Sequence, residues 1–173
     1  MSTFRQEFHV VREQSADSML EEIEHAVMQV SWLGQRQFMQ LLDGERFRLT
    51  LPQFYTLLNL HQMSGMCKMS DLADATHQSA ASLTGVVDRL LEKELVTRVR
   101  HERDRRQVMV VVTPQGSTLI NEIKQARREQ MQAALTHVPM HEIETLLALL
   151  DRVIEGMLRV LEHHDGPGHE PTR

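Results

Sequence analysis

Residues 69–116 read MSDLADATHQSAASLTGVVDRLLEKELVTRVRHERDRRQVMVVVTPQG. Two short helical patterns joined by a turn are followed by two β-branched runs that flank the charged stretch His101-Glu102-Arg103-Asp104-Arg105-Arg106. That order of elements can press one helix into a DNA groove while a basic loop reaches the neighbouring groove, so it predicts duplex reading rather than substrate turnover.

Within the stretch, Ser70 is expected to cap a short helix, with Asp71 favourable at the positive end of its dipole and Leu72 and Ala73 turned inward. Thr76-His77-Gln78 forms the turn. Ser79 then caps a helix whose Leu83, Val86, Val87, Leu90 and Leu91 recur at the spacing of a buried stripe. The opposite face presents Ala80, Ala81, Ser82, Thr84, Gly85, Asp88 and Arg89, small or hydrogen-bonding first and charged only later, which leaves little bulk between helix and major groove. Gly85 in a helix interior costs about 1 kcal/mol relative to Ala. Either another surface comes close there, or the glycine is a tolerated surface residue. Residues 95–100 and 107–112 are rich in β-branched side chains and read as a hairpin, a wing whose charged tip either meets DNA or is simply solvated.

Outward from this segment the chain is helical. Over 16–42 the residues Met19, Ile23, Ala26, Val27, Val30, Leu33, Phe38, Leu41 and Leu42 recur at three- and four-residue spacing, predicting a long amphipathic helix. Thr50 caps a second helix with Pro52 in its first turn and Phe54, Leu57, Leu58 and His61 along one face, ended by Ser64-Gly65. Thr113-Pro114 opens another, interrupted at Pro139. The last helix carries Ile143, Leu146, Leu147, Leu150, Val153, Ile154, Met157, Leu158 and Leu161, a stripe that a domain this small can hardly cover alone. The expected fold is mainly α with a small β-hairpin wing. Its expected parts are an N-terminal helix contributing to dimerisation (1–48), a winged helix-turn-helix domain (49–113), C-terminal dimerisation helices (114–164) and a disordered tail (165–173).

The 173 residues, 41% hydrophobic, suffice for a folded core. With no basic-then-apolar leader and no long apolar run, a cytoplasmic protein without a membrane partner is expected. The net charge of −5 does not oppose DNA binding, because phosphates respond to the local field. Glu13, Asp17, Glu21, Glu22, Glu24, Asp43 and Glu45 face Arg36 alone, whereas Arg98, Arg100, Arg103, Arg105 and Arg106 face only Glu102 and Asp104. The acidity lies near the ends and the basicity in the wing.

These residues resemble the MarR (multiple antibiotic resistance regulator) family of winged helix-turn-helix transcription factors. Asp71-Leu72-Ala73, Ser79-Ala80-Ala81-Ser82, Val87-Asp88-Arg89-Leu90-Leu91-Glu92-Lys93 and Leu95-Val96-Thr97-Arg98 are similar to the family's helix-turn-helix and first wing strand. Asp104-Arg105-Arg106, Val112-Thr113 and Gly116 are similar to its wing signature. The resemblance implies that Arg106 enters the minor groove, that Asp104 holds the wing tip in shape, and that Ser79, Ser82 and Thr84 meet phosphates or base edges. Arg89 would reach phosphate or guanine, with Ala81, Gly85, Arg98, Arg103 and Arg105 completing the surface. Glu94 departs from the glycine usual at the end of the recognition helix; as a poor left-handed residue, it predicts a differently shaped terminus.

The uncovered stripes and the need to read two half-sites predict a homodimer on a palindromic double-stranded DNA operator, acting as a repressor. The resemblance further implies a small aromatic or anionic effector in a cleft that Trp32, Arg36, Phe54, His61 and Met66 line, unless Trp32, Phe54 and Met66 are plain core. Three other regulatory readings remain. Cys67, a lone thiol placed in a loop, could couple oxidation to release. His137 with His141 and Glu142, or His163 with His164, approach zinc-ligand spacing, although Pro139 breaks the first register, so neither metal nor cofactor is expected. A winged-helix protein-interaction module would use the same fold without DNA. An enzyme is not expected: no nucleophile elbow, phosphate loop, dinucleotide fingerprint or Cys-x-x-Cys pair occurs, and His141-Glu142-Ile143-Glu144-Thr145 lacks the second histidine of a zinc protease.

Overall fold

The computed structural model describes residues 3–100 and 108–164, with the side chains of 17–100 and 108–162. The elements are helices α1 (Thr3–Asp43), α2 (Leu51–Gln62), α3 (Met69–Thr76), α4 (Ala80–Glu92), α5 (Pro114–Ala134) and α6 (Met140–His164) and strands β1 (Met66–Lys68), β2 (Val96–Arg100) and β3 (Val108–Val112). Strand β1 lies between α2 and α3, while β2 and β3 lie between α4 and α5. The mainly helical fold with a small wing is as the sequence predicts. Helix α1 begins well before residue 16, and the tail 165–173 lies outside the described residues.

The helix starts follow local chemistry. Thr50 and Gln53 form a reciprocal capping box at α2, with Pro52 in the first turn. At α4 the Ser79 hydroxyl oxygen accepts the Ser82 N–H at 3.2 Å. Ser70 does not cap α3 as expected. Lys68, extended at φ −75° and ψ 155° as the last residue of β1, occupies the N-cap position, so Ser70 falls inside the first turn, where its hydroxyl donates to Asp71.

The sheet has the order β1-β3-β2, antiparallel throughout, with Cys67 opposite Val110 and Arg98 also opposite Val110 on the other side. A hairpin alone is marginal in water, and β1 supplies the third strand that such a ribbon needs. Strand β1 is not legible in the sequence, since three residues carry no readable alternation.

The end of α4 overturns a second expectation. Glu94 takes the left-handed conformation (φ 59°) that glycine normally fills. The Glu94 N–H donates to the Leu91 carbonyl at 2.9 Å and the Leu95 N–H to the Leu90 carbonyl at 3.0 Å. These are the two bonds of a Schellman motif, and buried Leu90 and Leu95 occupy its apolar positions. The Glu94 carbonyl also accepts the Thr113 hydroxyl at 2.8 Å, whose oxygen accepts the Gly116 N–H at 3.0 Å to cap α5. One threonine thus fastens the start of α5 to the end of α4. Gly116 is required by this closeness: a Cβ there would overlap the Leu95 carbonyl oxygen.

The chain forms two compact units, Met1–Gln125 and Ala126–Arg173. In the first, Phe38, Leu42, Phe54, Leu57, Leu72, Leu83, Val87, Leu90, Val110 and Ile120 build a sealed core. Along α1, by contrast, Met19, Leu20, Ile23, Met28, Val30 and Leu33 are exposed. The second unit contains α6, on which Leu147, Leu150, Ile154, Leu158 and Leu161 are all exposed.

Candidate nucleic-acid interface

Helices α3 and α4 and strands β2 and β3 set out the surface. Leu72 and Ala73 of α3 and Leu83, Val87 and Leu90 of α4 are buried, which turns the remaining side of α4 outward. Val86 and Leu91, also assigned to the stripe, are half-buried. Ser79, Ala80, Ala81, Ser82, Thr84, Gly85, Asp88 and Arg89 are all exposed. His77, left-handed at φ 50°, makes the turn that sets α4 against α3. Gln78 braces it: its amide donates to the Thr56 hydroxyl of α2 at 3.0 Å, and its carbonyl oxygen accepts from Ser82 at 3.5 Å.

Hydroxyl geometry divides the outward residues by what they can offer. Ser79 uses its oxygen as an acceptor for the cap and retains an O–H to give to phosphate or a base acceptor. Thr84 donates to the Ala80 carbonyl at 2.8 Å, so it offers a methyl and lone pairs, suited to a thymine methyl or a base amino group. Among the described residues nothing lies within 4 Å of where a Gly85 Cβ would stand, so no contact with them demands glycine there. The positive end of the α4 dipole, at Ser79–Ala81, favours anions.

Arg98 projects from β2 on the same side as buried Val96 and meets Asp88 of α4, its Nη2 lying 2.7 Å from Oδ1. Arg98 is a residue expected from the sequence, but this pairing is not, since nothing in spacing alone sets Asp88 beside it. Arg103, Asp104, Arg105 and Arg106, the expected wing tip, lie outside the described residues.

The effector candidates divide. Trp32 is exposed on α1, not core, and the Arg36 guanidinium lies over its ring at 5.1 Å. Phe54 is core, packed edge-on against Phe38 with centroids 5.0 Å apart. His61 is half-buried near the end of α2 and Met66 is exposed on β1. Neither of two surface grooves of the first unit, about 480 and 460 Å³, is lined by any of the five.

Cys67 corrects the loop expectation. It lies in β1, and burial first, then the Asp71 carboxylate, push its thiol above the ordinary value. An oxidation sensor needs the reverse, an accessible thiol with a lowered pKa. No cluster of three metal-ligating side chains occurs among the described residues. His141 instead lies 3.9 Å from Glu142, and His163 and His164 lie beyond the described side chains. No helix among the described residues is long and apolar enough to cross a membrane.

The family model described as MarR family matches residues 49–108, which include α2, α3, α4 and β2. The HTH-type transcriptional repressor NicR of Pseudomonas putida is 31% identical over 108 residues, covering 62% of this chain and 68% of NicR. The chain belongs to the MarR family. As a MarR-family protein it is a DNA-binding transcriptional regulator and not an enzyme. The same fold is seen in the crystal structure of YusO from Bacillus subtilis, 21% identical, with a TM-score of 0.72 over 81% of this chain and 97% of YusO. A mutant of MepR from S. aureus, solved bound to an oligodeoxyribonucleotide, matches with 21% identity and a TM-score of 0.63 over 78% of this chain and 97% of that one.

Proposed function

We propose that the protein is a homodimeric repressor that binds a palindromic operator and is released by a small aromatic or anionic effector. The observation that carries this reading is the outward face of α4, where Ser79, Ala81, Ser82, Thr84 and Gly85 leave a helix surface thin enough to enter a major groove. Arg89 extends the face with a guanidinium, and Arg98, Arg103, Arg105 and Arg106 supply the basic wing, with Asp104 holding its tip. The relationship to NicR, a named repressor, supports repression.

Residues 1–48 and 114–164 are assigned to dimerisation, and 49–113 to DNA reading. The exposed apolar faces of α1 and α6 support this, because a second copy would cover them and set two recognition helices about one DNA turn apart. Stacked Trp32 and Arg36 offer an aromatic ring and a cation to an effector. Its binding lowers operator affinity by favouring the dimer state in which the recognition helices are wrongly spaced.

Selection of bound fragments from random duplex, followed by a shift assay at matched salt, tests the reading. Arg106→Ala weakens binding to the selected fragment by roughly tenfold or more, one lost contact being worth about 1–3 kcal/mol, and leaves the fold intact by circular dichroism. Equal binding by parent and variant removes the wing from the interface.

A further inference from the structure

Asp88 places a carboxylate on the helix face proposed to meet DNA. It falls three residues after Gly85 and seven after Ala81, on the same exposed stripe of α4 that faces the phosphates in the proposed reading, on which this inference rests. An unopposed negative charge there would repel DNA. Its Oδ1 instead holds Arg98 Nη2 at 2.7 Å, across to the first strand of the wing. Both side chains are partly exposed, 50% for Asp88 and 39% for Arg98, and such a pair adds little to stability. Its consequence lies elsewhere: it ties the angle of the wing to the recognition helix and occupies a guanidinium that would otherwise seek any phosphate.

We propose that Asp88 is a positioning residue that sets sequence discrimination, holding Arg98 and the wing in the register of the operator and withholding one cation from non-specific DNA. A regulator must find its site among a great excess of competing duplex, so the ratio of operator to random affinity is the quantity such a brace improves.

The test measures binding of the full-length protein to a selected duplex and to random-sequence duplex by fluorescence anisotropy, from roughly 50 to 300 mM salt. Asp88→Asn releases Arg98 to phosphate. Random duplex then binds about fivefold tighter and the slope of log K against log salt steepens by about 1, while selected duplex binds more weakly, so the ratio falls at least tenfold, by order of magnitude. Asp88→Glu, which can still reach Arg98, keeps the parent ratio. Arg98→Gln also lowers the ratio, and Asp88→Asn with Arg98→Gln lowers it no further than either alone, because one interaction is removed once. If Asp88→Asn tightens both duplexes equally, or changes neither, Asp88 is only a surface charge and the brace is wrong. Additive losses in the double variant also overturn it. A parent protein that binds no duplex at all sinks the DNA-reading assignment itself, a failure visible before any variant is compared.

Discussion

Helices α4 and α6 carry apolar stripes of similar regularity and end in opposite environments. Leu83 and Leu90 of α4 have no exposed surface, whereas Leu150 and Leu158 of α6 are 45% and 53% exposed. The difference is one of partners. Helix α4 finds α2, α3 and the sheet within its own chain, and the burial of each leucine contributes roughly 1.5–3 kcal/mol. On α6 the stripe is exposed among the described residues, which is why a second copy is proposed to cover it. The first region specifies its own structure, and the second carries the surface proposed to meet a second copy.

The largest effect separates these regions directly. Leu83→Ala lowers unfolding free energy by about 2–5 kcal/mol, at every protein concentration, in urea titrations followed by circular dichroism. Leu150→Glu combined with Leu158→Glu leaves the winged-helix core folded but removes the concentration dependence of unfolding that linked association produces. If both sets of variants lose stability independently of concentration, the contrast between the regions fails.

Two glycine-related positions sharpen the account of the first region. Gly116→Ala drives a Cβ into the Leu95 carbonyl and destabilises by about 1–3 kcal/mol, seen as a lowered urea midpoint. Glu94→Gly moves the other way, relieving a left-handed side chain and raising stability by about 0.5–1 kcal/mol. A loss of stability there would mean that the Glu94 side chain contributes more than its backbone costs.

The smallest effect concerns Cys67. Its raised pKa keeps the folded thiol protonated to higher pH than an ordinary cysteine, so alkylation of the native protein is slow at pH 7.5 and accelerates only above the usual thiol range. Denaturation restores ordinary reactivity. Rapid alkylation of the native protein at neutral pH would reopen the redox reading.

Much of this architecture was legible in the sequence because single residues decide helix starts and turns. Thr50-Leu51-Pro52, Ser79 and Thr113-Pro114 marked three helix starts correctly, and the α4 stripe identified its buried leucines. Ser70 failed because β1, too short to announce itself, delivers an extended Lys68 to the cap position. Glu94 departs from its intrinsic preference because the Schellman bonds and the Thr113 hydroxyl hold it left-handed. At the candidate interface, the outward face of α4 followed from helical periodicity. Its pairing with Arg98 did not, because residues on different elements meet only through the tertiary fold.

Two copies of the chain are proposed to grip one duplex through α4 and the wing. Sedimentation of the protein with a selected, fluorescently labelled duplex across a range of salt concentrations measures stoichiometry and electrostatic character together. Two chains per duplex are expected, with log K falling linearly and steeply with log salt. One chain per duplex, or binding indifferent to salt, would contradict it.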